Sequence, residues 1–112
     1  MCVLERLLPS DVVNEGCSRD DITSLGREVL VVGNSHFYFH PEADHIRLLQ
    51  SVVSLALLQD VAQRWQKQEG CRVSVVFCGD LNSTPDTGVY QLVTQGRVED
   101  THPGWTGEYS TR

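Results

Sequence analysis

Two valine-rich runs, EVLVVGNSHFYF from Glu28 and RVSVVFCGDLN from Arg72, bracket a long stretch, HPEADHIRLLQSVVSLALLQDVAQRWQKQEG. The outer runs are β-branched and aromatic, the composition of interior strands, and the first is predicted at about residues 28–34 with His36 at or just past its end. The stretch between them is predicted to begin a helix at Pro41, to carry acids in its first turn and to stop at Gly70. Ile46, Leu49, Val53 and Leu57 step by three and four, widened by Val52, Leu55, Ala56 and Ala62, and predict the face laid on a sheet. Arg47, Gln50, Ser54, Gln63 and Arg64 fall on the opposite face. A strand, a crossover helix and a second strand make a βαβ unit, whose parallel strands open their carboxyl ends on the same edge. The fold class is therefore α/β.

The flanks are less regular. STPDTG reads as a turn, TGVYQLVTQG as a short helix ended by Gly96, and RVEDTHPGWTGEYSTR as loop. Residues 1–26 carry Pro, Gly, Ser, Asn and Asp at loop frequency and are expected to be mostly irregular, with room for one short helix. That divides the 112 residues into a poorly patterned 1–26 and an organised 27–112. No window approaches the roughly 18 uninterrupted apolar residues of a membrane span, so no membrane partner is expected. Cys2, Cys17, Cys71 and Cys78 form no C-x-x-C pair, which disfavours a zinc site or disulfide framework and points to the reducing interior of a cell. A net charge of −6 opposes a broad basic face for nucleic acid, and no DNA-specific binding is expected. A phosphate substrate would need local positive charge, and a divalent cation is one supplier.

Side chains on an extended segment alternate, so Asp80 and Asn82 are predicted to point the same way with Leu81 inward, and Gly79 admits a close backbone approach. His36, with Asn34 two residues earlier on its face, comes to the same sheet edge, where open α/β sheets bind ligands. A carboxylate, an amide and an imidazole there suit phosphoester hydrolysis: Asp80 orients or deprotonates water, Asn82 holds water or a phosphoryl oxygen, and His36 hydrogen-bonds the phosphate as charge develops. Each piece also has a plainer use. Asp and Asn at a strand end satisfy free backbone groups, and a lone histidine is more often structural than catalytic. His40 and His45 flank a helix start, Asp86 stabilises its own turn, Trp65 packs in the core, and Cys78 is a small buried hydrophobe.

GNSHFYFHPEADHIRLLQ followed by VVFCGDLNSTPDTGVYQLVTQG resembles the endonuclease/exonuclease/phosphatase superfamily, and within it the 2′-phosphodiesterases and the carbon-catabolite-repression type of deadenylase, over about residues 28–100. The resemblance implies a deoxyribonuclease-I-like four-layer sandwich, here partial, and a metal-dependent phosphodiesterase. It places the family's phosphate-contacting histidine of an N-T-H motif on His36, with Ser35 for threonine, and its G-D-F-N-S-x-P aspartate and asparagine on Asp80 and Asn82, with Leu81 for phenylalanine and Ser83 and Pro85 kept. Pro41 falls where the deadenylase relatives set a proline beside the adenine base, so Asn34 and Pro41 are the substrate-binding candidates. The implied substrates are adenylate-rich RNA, through 3′ exonuclease action, or 2′,5′-oligoadenylate. The alternatives are another phosphoester, such as an inositol phosphate or sphingomyelin, and a non-catalytic truncated product. The implied cofactor is Mg2+. Family members hold it with a glutamate from the first half of the domain and close with an S-D-H motif, neither of which occurs here. The chain is thus expected to be a fragment of the second half, in which Asp80 and Asn82 alone are too few ligands to make a metal site, with weak metal affinity and little hydrolase activity in isolation.

Overall fold

The computed structural model describes residues 2–6 and 28–106. Strand β1 is Cys2–Arg6, β2 Glu28–His36 and β3 Arg72–Asp80, and they form a three-stranded sheet in the order β1-β2-β3. Helix α1, Asp44–Glu69, connects β2 to β3, and α2, Gly88–Gln95, is followed by a 3-10 turn at Pro103–Trp105. Among the described residues, no helix is long and apolar enough to cross a membrane. The chain divides into two compact units, Met1–Asn34 with Leu57–Cys78 and Ser35–Ala56 with Gly79–Arg112.

In the first unit, β1 runs antiparallel to β2, with Cys2 opposite Gly33 and Arg6 opposite Val29. This strand is one regular element within residues 1–26, of which residues 7–26 lie outside the described residues. A five-residue strand borrows its hydrogen bonds from the neighbour it joins, so it needs little pattern of its own. The short helix expected there falls outside the described residues. Between β2 and β3, Arg72 meets Glu28 at 3.3 Å and the Cys78 thiol donates to the Gly33 carbonyl at 3.5 Å. Partner numbers rise together, so the two strands are parallel and the βαβ unit stands as expected. Cys78 itself is exposed, not the buried hydrophobe the apolar run suggested. Only one face of its strand meets the helix, and a thiol at an even position of β3 lies on the other.

The core of this unit is Val29, Val31, Leu58 and Cys71, with Val61, Trp65, Val73 and Phe77 packed on it. Val29, Val31 and Gly33 share one face of β2. A Cβ on Gly33 would lie 2.7 Å from Leu58 Cδ1, so the missing side chain is what lets the helix close on the strand.

The helix phase is the main correction. Leu48, Ser51, Leu58 and Ala62 are buried, whereas Leu49, Val53 and Leu57, three of the four residues expected to face the sheet, are each more than half exposed. Apolar residues surround the middle of α1, so a stripe could be drawn in more than one phase. Ser51 can be buried because its hydroxyl donates to the Leu48 carbonyl at 2.7 Å.

In the second unit Phe37, Ala43, Leu48 and Val89 are buried. Helix α2 is capped at both ends: the Thr87 side chain accepts from the Tyr90 N–H, and Gly96, at φ 73, donates to the Leu92 carbonyl. A side chain on Gly88 would meet Leu48 Cδ2 at 3.1 Å and His102 Nδ1 at 3.3 Å, so this helix start fits tightly between the two. Helix α1 begins at Asp44 instead of Pro41, because Pro41 and Glu42 form a turn first. The segment after α2, expected to be loop, gains the Pro103–Trp105 turn, and Trp105 Nε1 donates to the Glu99 carbonyl at 2.9 Å.

The two helix phases make opposite demands on mutants. Leu58→Ala is expected to lower unfolding free energy by about 2–5 kcal/mol, and Leu49→Ala by less than about 0.5 kcal/mol, in urea titrations. The reverse order would restore the stripe read from the sequence.

Candidate active site

Near the end of β3, Gly79 lets the strand lie close against the end of β2. Its φ is 132, and a Cβ there would fall 1.9 Å from the Ser35 carbonyl oxygen, so only glycine lets the two backbones meet at this point. One residue on, the Phe37 N–H donates to the Asp80 carbonyl at 2.9 Å. His36 and Asp80 are thereby set side by side at the ends of neighbouring strands.

Their side chains face each other across solvent. His36 Nε2 lies 4.0 Å from Asp80 Oδ2, with the two side chains 74% and 69% exposed. That distance is too long for a direct hydrogen bond. It suits a water or a phosphoryl oxygen touching both groups, and the exposure leaves room for a polymeric substrate.

Asn82 reaches the site by another route than strand alternation. The strand ends at Asp80, and Asn82 adopts a left-handed φ of 47, a conformation that asparagine tolerates better than most residues. Its own N–H donates to Asp80 Oδ1 at 3.0 Å, and its side-chain Nδ2 donates to the Phe37 carbonyl at 2.8 Å. The plainer use of Asp and Asn at a strand end is therefore real here, and it is combined with the presentation of Asp80. One carboxylate oxygen is held by the turn and the other faces His36. Leu81 is half-buried.

The remaining candidates divide. Pro41 is exposed in the Pro41–Glu42 turn of this unit, whereas Asn34 is exposed on β2 within the other. His40 caps locally, its Nδ1 accepting the Glu42 N–H at 3.2 Å, and its ring lies parallel to Tyr38 with centroids 6.2 Å apart. Asp86 does stabilise its turn, accepting from the Thr84 hydroxyl at 2.5 Å.

One residue of the face expected to be polar, Arg47, turns inward. Arg47 is buried, and its Nη1 donates to the Tyr38 carbonyl at 3.2 Å and the His40 carbonyl at 2.5 Å, while Nη2 pairs with Asp44. Gln50 accepts the Tyr38 N–H at 3.0 Å. An arginine inside an otherwise apolar run, three residues after an aspartate, was the available signal. Side-chain type alone had put it in solvent.

Among the described residues no group of three or more His, Cys, Asp or Glu side chains could hold a metal ion. Asp80 has one oxygen engaged by the turn. It falls well short of the several oxygen ligands that Mg2+ takes at octahedral distances. The described residues therefore do not by themselves fit the cation.

No family model matches the chain. Over 77 residues it is 42% identical to 2′,5′-phosphodiesterase 12 of Bos taurus, covering 69% of the chain and 12% of that protein. It is 31% identical over 84 residues to CCR4-NOT transcription complex subunit 6-like of Danio rerio, covering 68% of the chain and 15% of that protein. With the CCR4-Not complex 3′-5′-exoribonuclease subunit Ccr4 of Phaeosphaeria nodorum it shares 24% over 134 residues, 82% of the chain and 22% of that protein. The chain thus spans under a quarter of each of these relatives.

The Asn82 geometry can be tested by stability alone. Asn82→Gly keeps the left-handed backbone and removes the amide, and is expected to cost about 1 kcal/mol. Asn82→Ala adds strain of about 1–2 kcal/mol and should melt lower than the glycine variant. Equal melting points would mean that the turn is not left-handed at Asn82.

Proposed function

The chain belongs to the endonuclease/exonuclease/phosphatase superfamily, and from that premise we propose that residues 28–106 carry part of the site of a divalent-metal-dependent phosphodiesterase acting on RNA. The substrate we infer is adenylate-rich, cleaved either from a 3′ end or at a 2′,5′ linkage. The names of the relatives support it, as a 2′,5′-phosphodiesterase and a 3′-5′-exoribonuclease. The proposed setting is the four-layer, deoxyribonuclease-I-like sandwich, of which the βαβ unit would be one part, in the cytoplasm or mitochondrion.

The observation that carries the reading is the pair of exposed side chains, His36 and Asp80, 4.0 Å apart at adjacent strand ends and held there by backbone contacts. Asp80 is the acceptor that orients and deprotonates the attacking water through Oδ2. His36 donates to a phosphoryl oxygen as negative charge grows on it. Asn82 both braces and binds: one N–H of its Nδ2 donates to the Phe37 carbonyl, and the second N–H and Oδ1 can hold water or a phosphoryl oxygen. Pro41 would lie beside a base, and Asn34 is kept as a second substrate contact. A divalent cation would neutralise phosphate charge, but it needs carboxylates beyond those described, so none of these roles is routed through it.

In the longest polypeptide expressed from this reading frame, Asp80→Ala and His36→Ala should each lower kcat by about 10²–10⁴-fold on poly(A) or 2′,5′-oligoadenylate. The melting point should stay unchanged for His36→Ala, whose side chain is exposed, and fall slightly for Asp80→Ala, which loses the bond from the Asn82 N–H. Wild-type rates in either variant would remove that residue from the mechanism. For the 112-residue chain alone, calorimetric titration with Mg2+ is expected to give millimolar or weaker binding, and micromolar binding would show that the ligand set is already complete.

A further inference from the structure

Arg47 is 4% exposed, and its Nε is buried with no hydrogen-bond partner among the described residues. Burying a guanidinium is unfavourable unless its donors are used, and an apolar residue of similar volume usually serves stability as well. Stability alone therefore does not account for this residue. What its fork does hold is a short stretch of backbone. Nη1 bridges the Tyr38 and His40 carbonyls, so both are turned toward α1, and Asp44 fixes the guanidinium from the side. Gln50 holds the Tyr38 N–H from the same helix.

The stretch is held from the other side by the end of β3. The Phe37 N–H donates to the Asp80 carbonyl, and the Phe37 carbonyl accepts from Asn82. The N–H and carbonyl groups of Phe37 and Tyr38 are thus all engaged, half by the β3 end and half by α1. Phe37 is buried, and His36 is the residue before it. The backbone that aims the His36 imidazole is consequently clamped between the turn that presents Asp80 and the buried arginine.

We infer that Arg47 is a positioning residue for phosphodiester hydrolysis: by fixing the carbonyls of Tyr38 and His40 it sets the placement of His36 against Asp80. The inference rests on the reading of His36 and Asp80 as the reacting pair. Lysine cannot replace it, because a compact ammonium lacks the planar fork that spans two carbonyls and a carboxylate at once. A displacement of about 1 Å at a reacting group can cost up to about a hundredfold in rate.

The test uses the longest polypeptide expressed from the reading frame, with 2′,5′-oligoadenylate and poly(A) as substrates. At temperatures well below melting, Arg47→Lys should lower kcat by about ten- to a hundredfold with KM within about threefold. Arg47→Ala should regain part of its kcat when guanidinium is added at tens of millimolar, which a purely structural loss would not do. If both variants fail to fold, Gln50→Leu, which releases the same Tyr38 N–H, takes their place and should lower kcat in the same way. Wild-type kcat in Arg47→Lys or in that substitute, or a rise in KM alone, overturns the inference. Loss of activity in His36→Ala and Asp80→Ala alongside an unaffected Arg47→Lys would sink the arginine's role and leave the phosphodiesterase reading standing. Unchanged activity in His36→Ala and Asp80→Ala would bring down both.

Discussion

The backbone contact at Gly79 is the constraint on which the candidate site depends. With φ at 132 and the Ser35 carbonyl oxygen 1.9 Å from where a Cβ would be, no other residue brings the end of β3 against the end of β2. The Phe37–Asp80 hydrogen bond is the next rung of the same contact, and it aligns His36 with Asp80. Moving either strand by one residue would turn one of the two side chains to the opposite face, because strand side chains alternate. The site is thus a property of backbone register, and its side chains can remain exposed without losing their alignment.

The second feature is the use of polar groups as struts. Asn82 and Arg47 carry residue types that sequence reasoning assigns to substrate or solvent, yet both direct donors at the backbone of residues 37–40. Donors held away from solvent, the Arg47 guanidinium fully and the Asn82 amide in part, fix geometry, since leaving the carbonyls unpaired would be costly. Through one N–H of its Nδ2, Asn82 braces the backbone next to the candidate pair.

Much of the βαβ unit was legible because its signals are local. Valine-rich runs gave β2 and β3, and Thr87 and Gly96 delimit α2 through their own capping chemistry. His36 and Asp80 were legible because a strand end is marked in sequence by the break from apolar residues to Gly and Asp. The phase of α1 was not legible, as its apolar residues go nearly all the way round. Leu49 and Val53 look no less suited to a core than Leu48 and Leu58 do. Strand β1 escaped notice because its hydrogen bonds come from residues more than twenty positions away.

By itself the sequence determined the order of strand, helix and strand, the strand-end positions of the histidine and the aspartate, and the motif spacing that marks the superfamily. These follow from periodicity and composition, which act over a few residues. Only the tertiary structure decided which side of α1 is buried, that Arg47 turns inward, and that Asn82 grips Phe37 instead of lining up beside Asp80. Those outcomes depend on which small side chains allow close approach and which backbone groups still need partners, and neither exists until the segments meet.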